Sequence, residues 1–235
     1  MTLPLPPASL RMNSATQRDD DIYLCSAENL LRAINHVIAL GSFARDRPAK
    51  LDLQDMAILD FGCGTCRLLH GLDAADELPK SYVGIDVQEL QITWAREIIA
   101  PLGNYQFQRI DAQNDRYNPL GGASSYGQIA DEHLGADLVI ARSVLTHMKP
   151  KEARETLREL RRAVNDSGQV YLTVNVSQNG PRWADLRKQE PSAGKLLKTE
   201  FRKAVFERML DRCGFEVAAY VASIENQCVY LLSPK

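Results

Sequence analysis

The sequence predicts an α/β protein: a three-layer sandwich built on a seven-stranded, mostly parallel sheet, with a helical arm ahead of it. Three observations carry this reading. Short apolar runs alternate with helix-like segments along the chain, the pattern of a parallel sheet covered on both faces. The first of these runs, Ile58-Leu-Asp-Phe-Gly-Cys-Gly64, ends in a carboxylate and breaks at once into glycines, as a strand does where it enters a ligand-binding turn. The last two runs are separated by Glu225-Asn226 alone, too short a link for a crossover, so they pair as antiparallel neighbours.

Taken in order, residues 1–50 form an arm whose helix, over 20–44, presents Leu24, Ala27, Leu31, Ile34 and Ile38 as one apolar stripe. The main domain, 51–235, follows with strands at 56–61, 81–86, 104–110, 136–142, 168–176, 215–224 and 226–233. Helices fall at 66–76, 88–100, 150–164 and 199–213. In the third of these, Pro150 suits a first turn, and Ala153, Leu157, Leu160 and Val164 lie on one face. Two insertions, near 113–135 and 177–198, interrupt the alternation. Loops longer than about twelve to fifteen residues are uncommon unless they act as lids or binding loops. The second insertion sets Trp183 among Arg182 and Arg187, a composition that suits either an anionic, partly apolar acceptor or a solvated charge run.

At 235 residues and 45% hydrophobic, the chain can bury roughly 70% of its unfolded surface. A net charge of −2 disfavours DNA or an anionic membrane as an obligatory partner. There is no run of about eighteen apolar residues to span a bilayer. The start, Leu3-Pro-Leu-Pro-Pro7, does not suit a signal peptide, and five cysteines, an odd number, fit a reducing compartment, so a cytoplasmic location is expected. Cys63 and Cys66 form a Cys-x-x-Cys, but with no second pair at metal-binding spacing they read as structural.

Four strand ends carry polar groups that would share one pocket. Asp60 offers only acceptors, which suits ammonium or hydroxyl donors better than a phosphate. Asp86, at the end of Tyr82-Val83-Gly84-Ile85-Asp86, is placed to accept ribose hydroxyls. Asp111 ends the third strand, and Arg142 the fourth.

In this ordered set the chain resembles the class I S-adenosylmethionine-dependent methyltransferases. The resemblance rests on Ile58 to Gly64, on Asp86, on Asp111-Ala112, on Ala136 to His147 and on the helix and turn Leu157 to Gly168, and it covers roughly residues 20–235. It implies a strand order of 3-2-1-4-5-7-6 with the seventh strand antiparallel. It further implies that Asp60, Gly62, Cys63 and Gly64 surround the methionine part of the cofactor, S-adenosylmethionine. Asp86 would hold the ribose, Val87 pack beside the adenine, Asp111 hold the adenine amino group and Ala112 contact the ring through its backbone amide. Arg142 would sit near the amino-acid end. The lead-in, Leu3 to Arg11 with Asp20 to Leu24, is similar to segments that lie over the cofactor in some bacterial members.

Two departures stand out. Cys66 replaces a usual glycine and is expected to serve because it is small, and Asp166-Ser167-Gly168 replaces a usual Pro-Gly-Gly turn. A nicotinamide dehydrogenase is the competing reading within the fold, but it needs glycine where Arg67 stands, and its pyrophosphate would meet Asp60.

The activity implied is methyl transfer to a nucleophilic oxygen or nitrogen of a small-molecule acceptor, without a metal. His147, just beyond the fourth strand, is the candidate base, since an imidazole titrates near neutrality; a packing role is the alternative. The strand's end reads Arg142-Ser143-Val144-Leu145, which lacks both the Asn- or Asp-Pro-Pro-aromatic motif of nucleic-acid amino methylation and carboxylates for a divalent cation. A non-catalytic cofactor-binding subunit is a second reading of the same pocket. Oligomeric state is not encoded in any motif.

Overall fold

A computed structural model describes residues 2–11, 15–43, 52–114, 118–123, 129–188, 197–224 and 227–235. Helix α1 (Asp20–Phe43) precedes β1 (Ala57–Phe61), α2 (Arg67–Ala74), β2 (Ser81–Asp86), α3 (Glu89–Trp94) and β3 (Tyr105–Arg109). A hairpin of β4 (Ala112–Asn114) and β5 (Asn118–Ala123) leads to β6 (Ala136–Ala141), α4 (Pro150–Ala163) and β7 (Val164–Val174). Three short strands, β8 (Val176–Ser177), β9 (Trp183–Asp185) and β10 (Thr199–Arg202), come before α5 (Lys203–Arg212) and the closing pair β11 (Phe215–Ile224) and β12 (Gln227–Pro234).

The large sheet runs β11-β12-β7-β6-β1-β2-β3. Counting only its own strands along the chain, this is 3-2-1-4-5-7-6, the expected order. β12 pairs antiparallel with both neighbours, while β7, β6, β1, β2 and β3 pair parallel.

The strands read as unbroken apolar runs because both faces are buried. Ile58, Leu138, Ile140, Val229 and Leu231 point into a core shared with α1, α2 and α3. Their neighbours Leu59, Val139, Ala141, Tyr230 and Leu232 enter the opposite core, under α4 and α5. Side chains of a strand alternate between faces, so each run supplies both layers.

Several elements depart from the expected boundaries. The helix expected over 199–213 begins only at Lys203, because Thr199 and Phe201 are buried on alternate positions and pair with β9 as a strand. The helix expected over 88–100 holds an α geometry to Trp94, widens through Ala95–Ile99 and tightens at Ala100–Leu102, where Pro101 has no amide to continue the ladder. The fifth main-sheet strand starts at Val164 rather than 168. Between the pairs Ala136↔Val164 and Leu138↔Gln169 it carries the four residues 165–168 against the single Asp137, so the Asp166-Ser167-Gly168 turn is a bulge. A Cβ on Gly168 would lie 2.8 Å from the Asp137 carbonyl, which explains the glycine. The 113–135 insertion contains most of the β4–β5 hairpin, with Asn118 Nδ2 donating to the Ala112 carbonyl at 3.1 Å. Residues 115–117, 124–128 and 189–196 of the two insertions, and the Glu225-Asn226 turn, lie outside the described residues. No helix among the described residues is long and apolar enough to cross a membrane.

Candidate active site

The turn after β1 is built by glycines and one cysteine in left-handed conformations. Gly62 (φ 89°), Gly64 (φ 51°) and Cys66 (φ 60°) reverse the chain between Phe61 and Arg67. A Cβ on Gly62 would fall 2.4 Å from Val144 Cγ2, whereas one on Gly64 would meet nothing within 4 Å. Gly62 is thus set by close packing and Gly64 by backbone conformation at an open face. The turn is pinned to β2: the Gly62 amide donates to the Ile85 carbonyl at 2.7 Å and the Gly64 amide to Asp86 Oδ2 at 2.8 Å.

Cys66 is fully buried, as its small size allows, and its backbone is also left-handed (φ 60°, ψ 35°). A residue with a Cβ holds that conformation at a cost of about 1 to 2 kcal/mol. The glycine usual at this position therefore serves conformation as well as size.

A cavity of about 110 Å³ opens at the ends of β1 and β6, and Asp60, Gly62, Cys63, Gly64 and Arg142 line it. The sequence reading placed these five together. Asp86 borders the cavity through its bond to Gly64, and its other oxygen accepts the Gln88 amide at 3.0 Å. Burial raises its pKa above the usual carboxylate value, against the lowering effect of these amides. The Val87 amide and the Gln88 side chain also bond to this carboxylate.

Val87, Asp111, Ala112 and His147 are not in the cavity wall. Val87 packs against the core under α4 and α5. Asp111 is exposed, and bonds from Asn118 Nδ2 (3.0 Å) and the Gly122 amide (3.3 Å) hold its pKa below the usual value. Ala112 is fully buried at the base of the hairpin. His147 Nδ1 lies 2.5 Å from the Leu197 carbonyl. A carbonyl only accepts, so Nδ1 carries the proton and the basic lone pair of the neutral ring is on Nε2.

The structure adds residues that the sequence reading did not name as ligands. Arg67, the first residue of α2, lines the cavity, and burial lowers its guanidinium pKa while Tyr23 and Asp60 oppose that shift. Asp60 receives a hydrogen bond from Tyr82 Oη at 2.6 Å. Burial pushes its pKa up to about 6, Asp86 adds to the rise, and Tyr82 and Arg67 work against it. Gln88 Oε1 is a buried acceptor with no partner, on a residue of the wall. Arg67 and Gln88 stand next to residues of the recognised motifs, so adjacency was their only signal in the sequence.

Leu10 and Gln17 bring the N-terminal arm into the wall. The arm is seated by Arg11, buried against Tyr23 with its cation 4.7 Å from the ring centroid and its Nε donating to the Pro6 carbonyl at 2.8 Å. Leu3 donates its amide to Asp73 Oδ2 at 2.7 Å, and Gln91 Nε2 donates to the Leu10 carbonyl at 3.3 Å. On the far side, the Ser143 amide donates to Thr173 Oγ1 (2.7 Å), which donates to Gln227 Oε1 (2.5 Å), while Gln227 Nε2 returns to Ser143 Oγ (3.0 Å). This ring of bonds fixes the turn after Arg142, where Ser143 has φ 58°.

Residues 59–170 match the family model of a methyltransferase domain, a span of somewhat less than half the chain. Among solved structures, the chain is similar to the PH0226 protein from Pyrococcus horikoshii OT3, at 18% identity and a TM-score of 0.56 over 87% of this chain and 91% of that one. It is similar to magnesium protoporphyrin IX methyltransferase from Synechocystis PCC 6803, at 20% identity and 0.53 over 86% and 84%. A third likeness is to 1,6-didemethyltoxoflavin-N1-methyltransferase from Burkholderia thailandensis, at 16% identity and 0.54 over 92% and 80%. At these identities the structures establish a shared fold. The fold is thus that of these methyltransferase structures, and residues 59–170 match a methyltransferase domain, in keeping with the resemblance of the ordered strand-end motifs to class I S-adenosylmethionine-dependent methyltransferases. For S-adenosylmethionine, the cofactor that the resemblance implies, the cavity wall offers groups suited to an amino-acid end: an orphaned acceptor at Gln88, a buried carboxyl at Asp60 and a buried cation at Arg67.

Proposed function

We propose that this enzyme methylates a nucleophilic oxygen or nitrogen of a small-molecule acceptor without a metal, in the cytoplasm. The observation that carries the pose is the burial of Asp60 and Arg67 in one cavity wall. The two side chains match a zwitterion, Asp60 taking the ammonium and Arg67 the carboxylate. Gly62, Cys63 and Gly64 lie along the methionine, Asp86 and Gln88 accept hydroxyls of the ribose, and Val87, Asp111 and Ala112 form the adenine side. Arg142 closes the amino-acid end. The cavity's volume of about 110 Å³ suits that end of the molecule, and the nucleoside lies across the open edge toward β3.

The cofactor supplies an activated methyl group, so the residues mainly have to align it with the acceptor, an effect worth about 7 to 11 kcal/mol. His147 takes the acceptor's proton on Nε2, its tautomer set by the bond to Leu197. A small-molecule acceptor is supported by two of the similar structures, the magnesium protoporphyrin IX methyltransferase and the 1,6-didemethyltoxoflavin-N1-methyltransferase. Among the described residues no three His, Cys, Asp or Glu side chains form a metal-holding group. The five unbonded cysteines support a reducing compartment.

Calorimetric titration with S-adenosylmethionine, S-adenosylhomocysteine and NAD tests the cofactor assignment, and micromolar binding of the first two alone is the expected result. Asp86→Ala should weaken that binding by about 1.5 to 3 kcal/mol, the range for hydrogen bonds to a charged group. Unchanged affinity would place the ribose elsewhere. His147→Ala should lower turnover with cofactor affinity preserved, and full turnover in that variant would remove His147 from the reaction.

A further inference from the structure

A second cavity lies between α4 and α5, over β9 and β10, and shares no lining residue with the first. Its volume, about 380 Å³, is within the usual range for a small-molecule site. Trp183, Phe201, Val205 and Met209 make an apolar floor. Around it stand Lys151, Arg154, Arg182, Arg208 and Arg212, and no carboxylate lines the cavity.

Five cations gathered on a chain of net charge −2 repel one another. Acids on the same helices offset these cations only in part, Glu155 beside Lys151 and Asp211 beside Arg212. Glu152 Oε2 accepts the Lys149 amide at 2.8 Å, Glu207 pairs with Lys203, and Asp211 pairs with Lys235. Among the described residues only Lys151 of the five has an ion pair, a 3.9 Å contact with Glu155. Trp183 gives this floor an aromatic ring, while its Nε1 is buried. The apolar floor and the clustered guanidinium groups, with no carboxylate in the lining, call for the same complement.

We propose that this groove binds an organic anion with a flat apolar body, its carboxylate or phosphate held by the arginine forks and its ring on the floor beside Trp183. The site stands independently of the methyl-transfer reading.

The probe is 2-naphthoate, with the neutral 2-naphthalenemethanol and sodium sulfate as controls for the apolar body and the charge. Trp94→Phe leaves Trp183 as the one remaining indole of the two, so its fluorescence reports the groove. Saturable quenching by naphthoate, with both controls at least tenfold weaker, is expected. Arg154→Glu with Arg208→Glu should weaken naphthoate tenfold or more while S-adenosylhomocysteine affinity and the melting curve stay as they were. If that pair fails to fold, the exposed Arg182→Glu alone should weaken binding several-fold. Naphthoate binding that does not saturate, that equals the alcohol's or that survives charge reversal overturns the proposal. So does tight binding of a glutamate-rich peptide in the absence of naphthoate binding, which would make the groove a protein-docking surface.

Discussion

Asp60 shows how a single residue carries two functions at once. It ends β1 at the cavity, 5% exposed, and burial raises its pKa from an ordinary 3.8 to about 6. Between those two values the folded protein holds a proton that the unfolded chain has released. The group's contribution to stability is therefore fully present below about pH 4 and lost as pH rises through about 6, by about 3 kcal/mol in all. Asp60→Asn removes this titration while keeping an acceptor for Tyr82. Melting temperatures across pH 4 to 7 should show the wild type losing stability relative to the variant, and parallel curves would mean the carboxyl is ionised throughout. An ammonium beside Asp60 favours the carboxylate, so on the proposed pose cofactor affinity rises with pH through about 6, and Asp60→Asn flattens that rise.

At the scale of elements, the arm reaches the cavity because α1 lies unusually close to α2. A Cβ on Gly71 of α2 would sit 2.5 Å from the Ala27 carbonyl of α1, and backbone atoms cannot step aside as a side-chain tip can. Tyr23 of the same helix donates to the Thr65 carbonyl at 2.8 Å, tying α1 to the glycine turn itself. Gly71→Ala should push the helices apart at a cost of about 1 to 3 kcal/mol, the usual range for overpacking. Urea unfolding should show a lower midpoint with an unchanged slope. Cofactor affinity should fall along with it, since Leu10 and Gln17 ride on the same arm. A variant as stable as the wild type would show that the crossing is looser than its geometry.

The whole molecule depends on a strand that comes last in the chain and sits inside the sheet. β12 lies between β7 and β11, and its Val229, Tyr230, Leu231 and Leu232 are fully buried, feeding both cores. Removing residues 215–235 would strip β7 of one of its two partners and open both layers. We expect the truncated chain to show no cooperative thermal transition by circular dichroism. A sharp transition would mean that the five parallel strands fold without the closing pair.

The sequence by itself determined the alternating sheet, its antiparallel closing pair and the glycine turn, while the strand order followed from the family resemblance. Long apolar runs, a two-residue link between the last strands and paired glycines after a carboxylate are local signals, and each has one physical solution. Five of the proposed ligands, Asp60, Gly62, Cys63, Gly64 and Arg142, were legible because strand ends on one edge of a parallel sheet must converge. Only the tertiary structure decided the rest. Arg67 and Gln88 face the cavity, and Leu10 and Gln17 close it, through helix orientation and an arm path that no periodicity encodes. Thr199 to Arg202 became a strand because β8 and β9 offered partners, overriding a helical pattern. The cationic groove arises from α4, β9, β10 and α5 together, segments far apart in sequence whose charges look like solvated faces until packing sets them around one apolar floor.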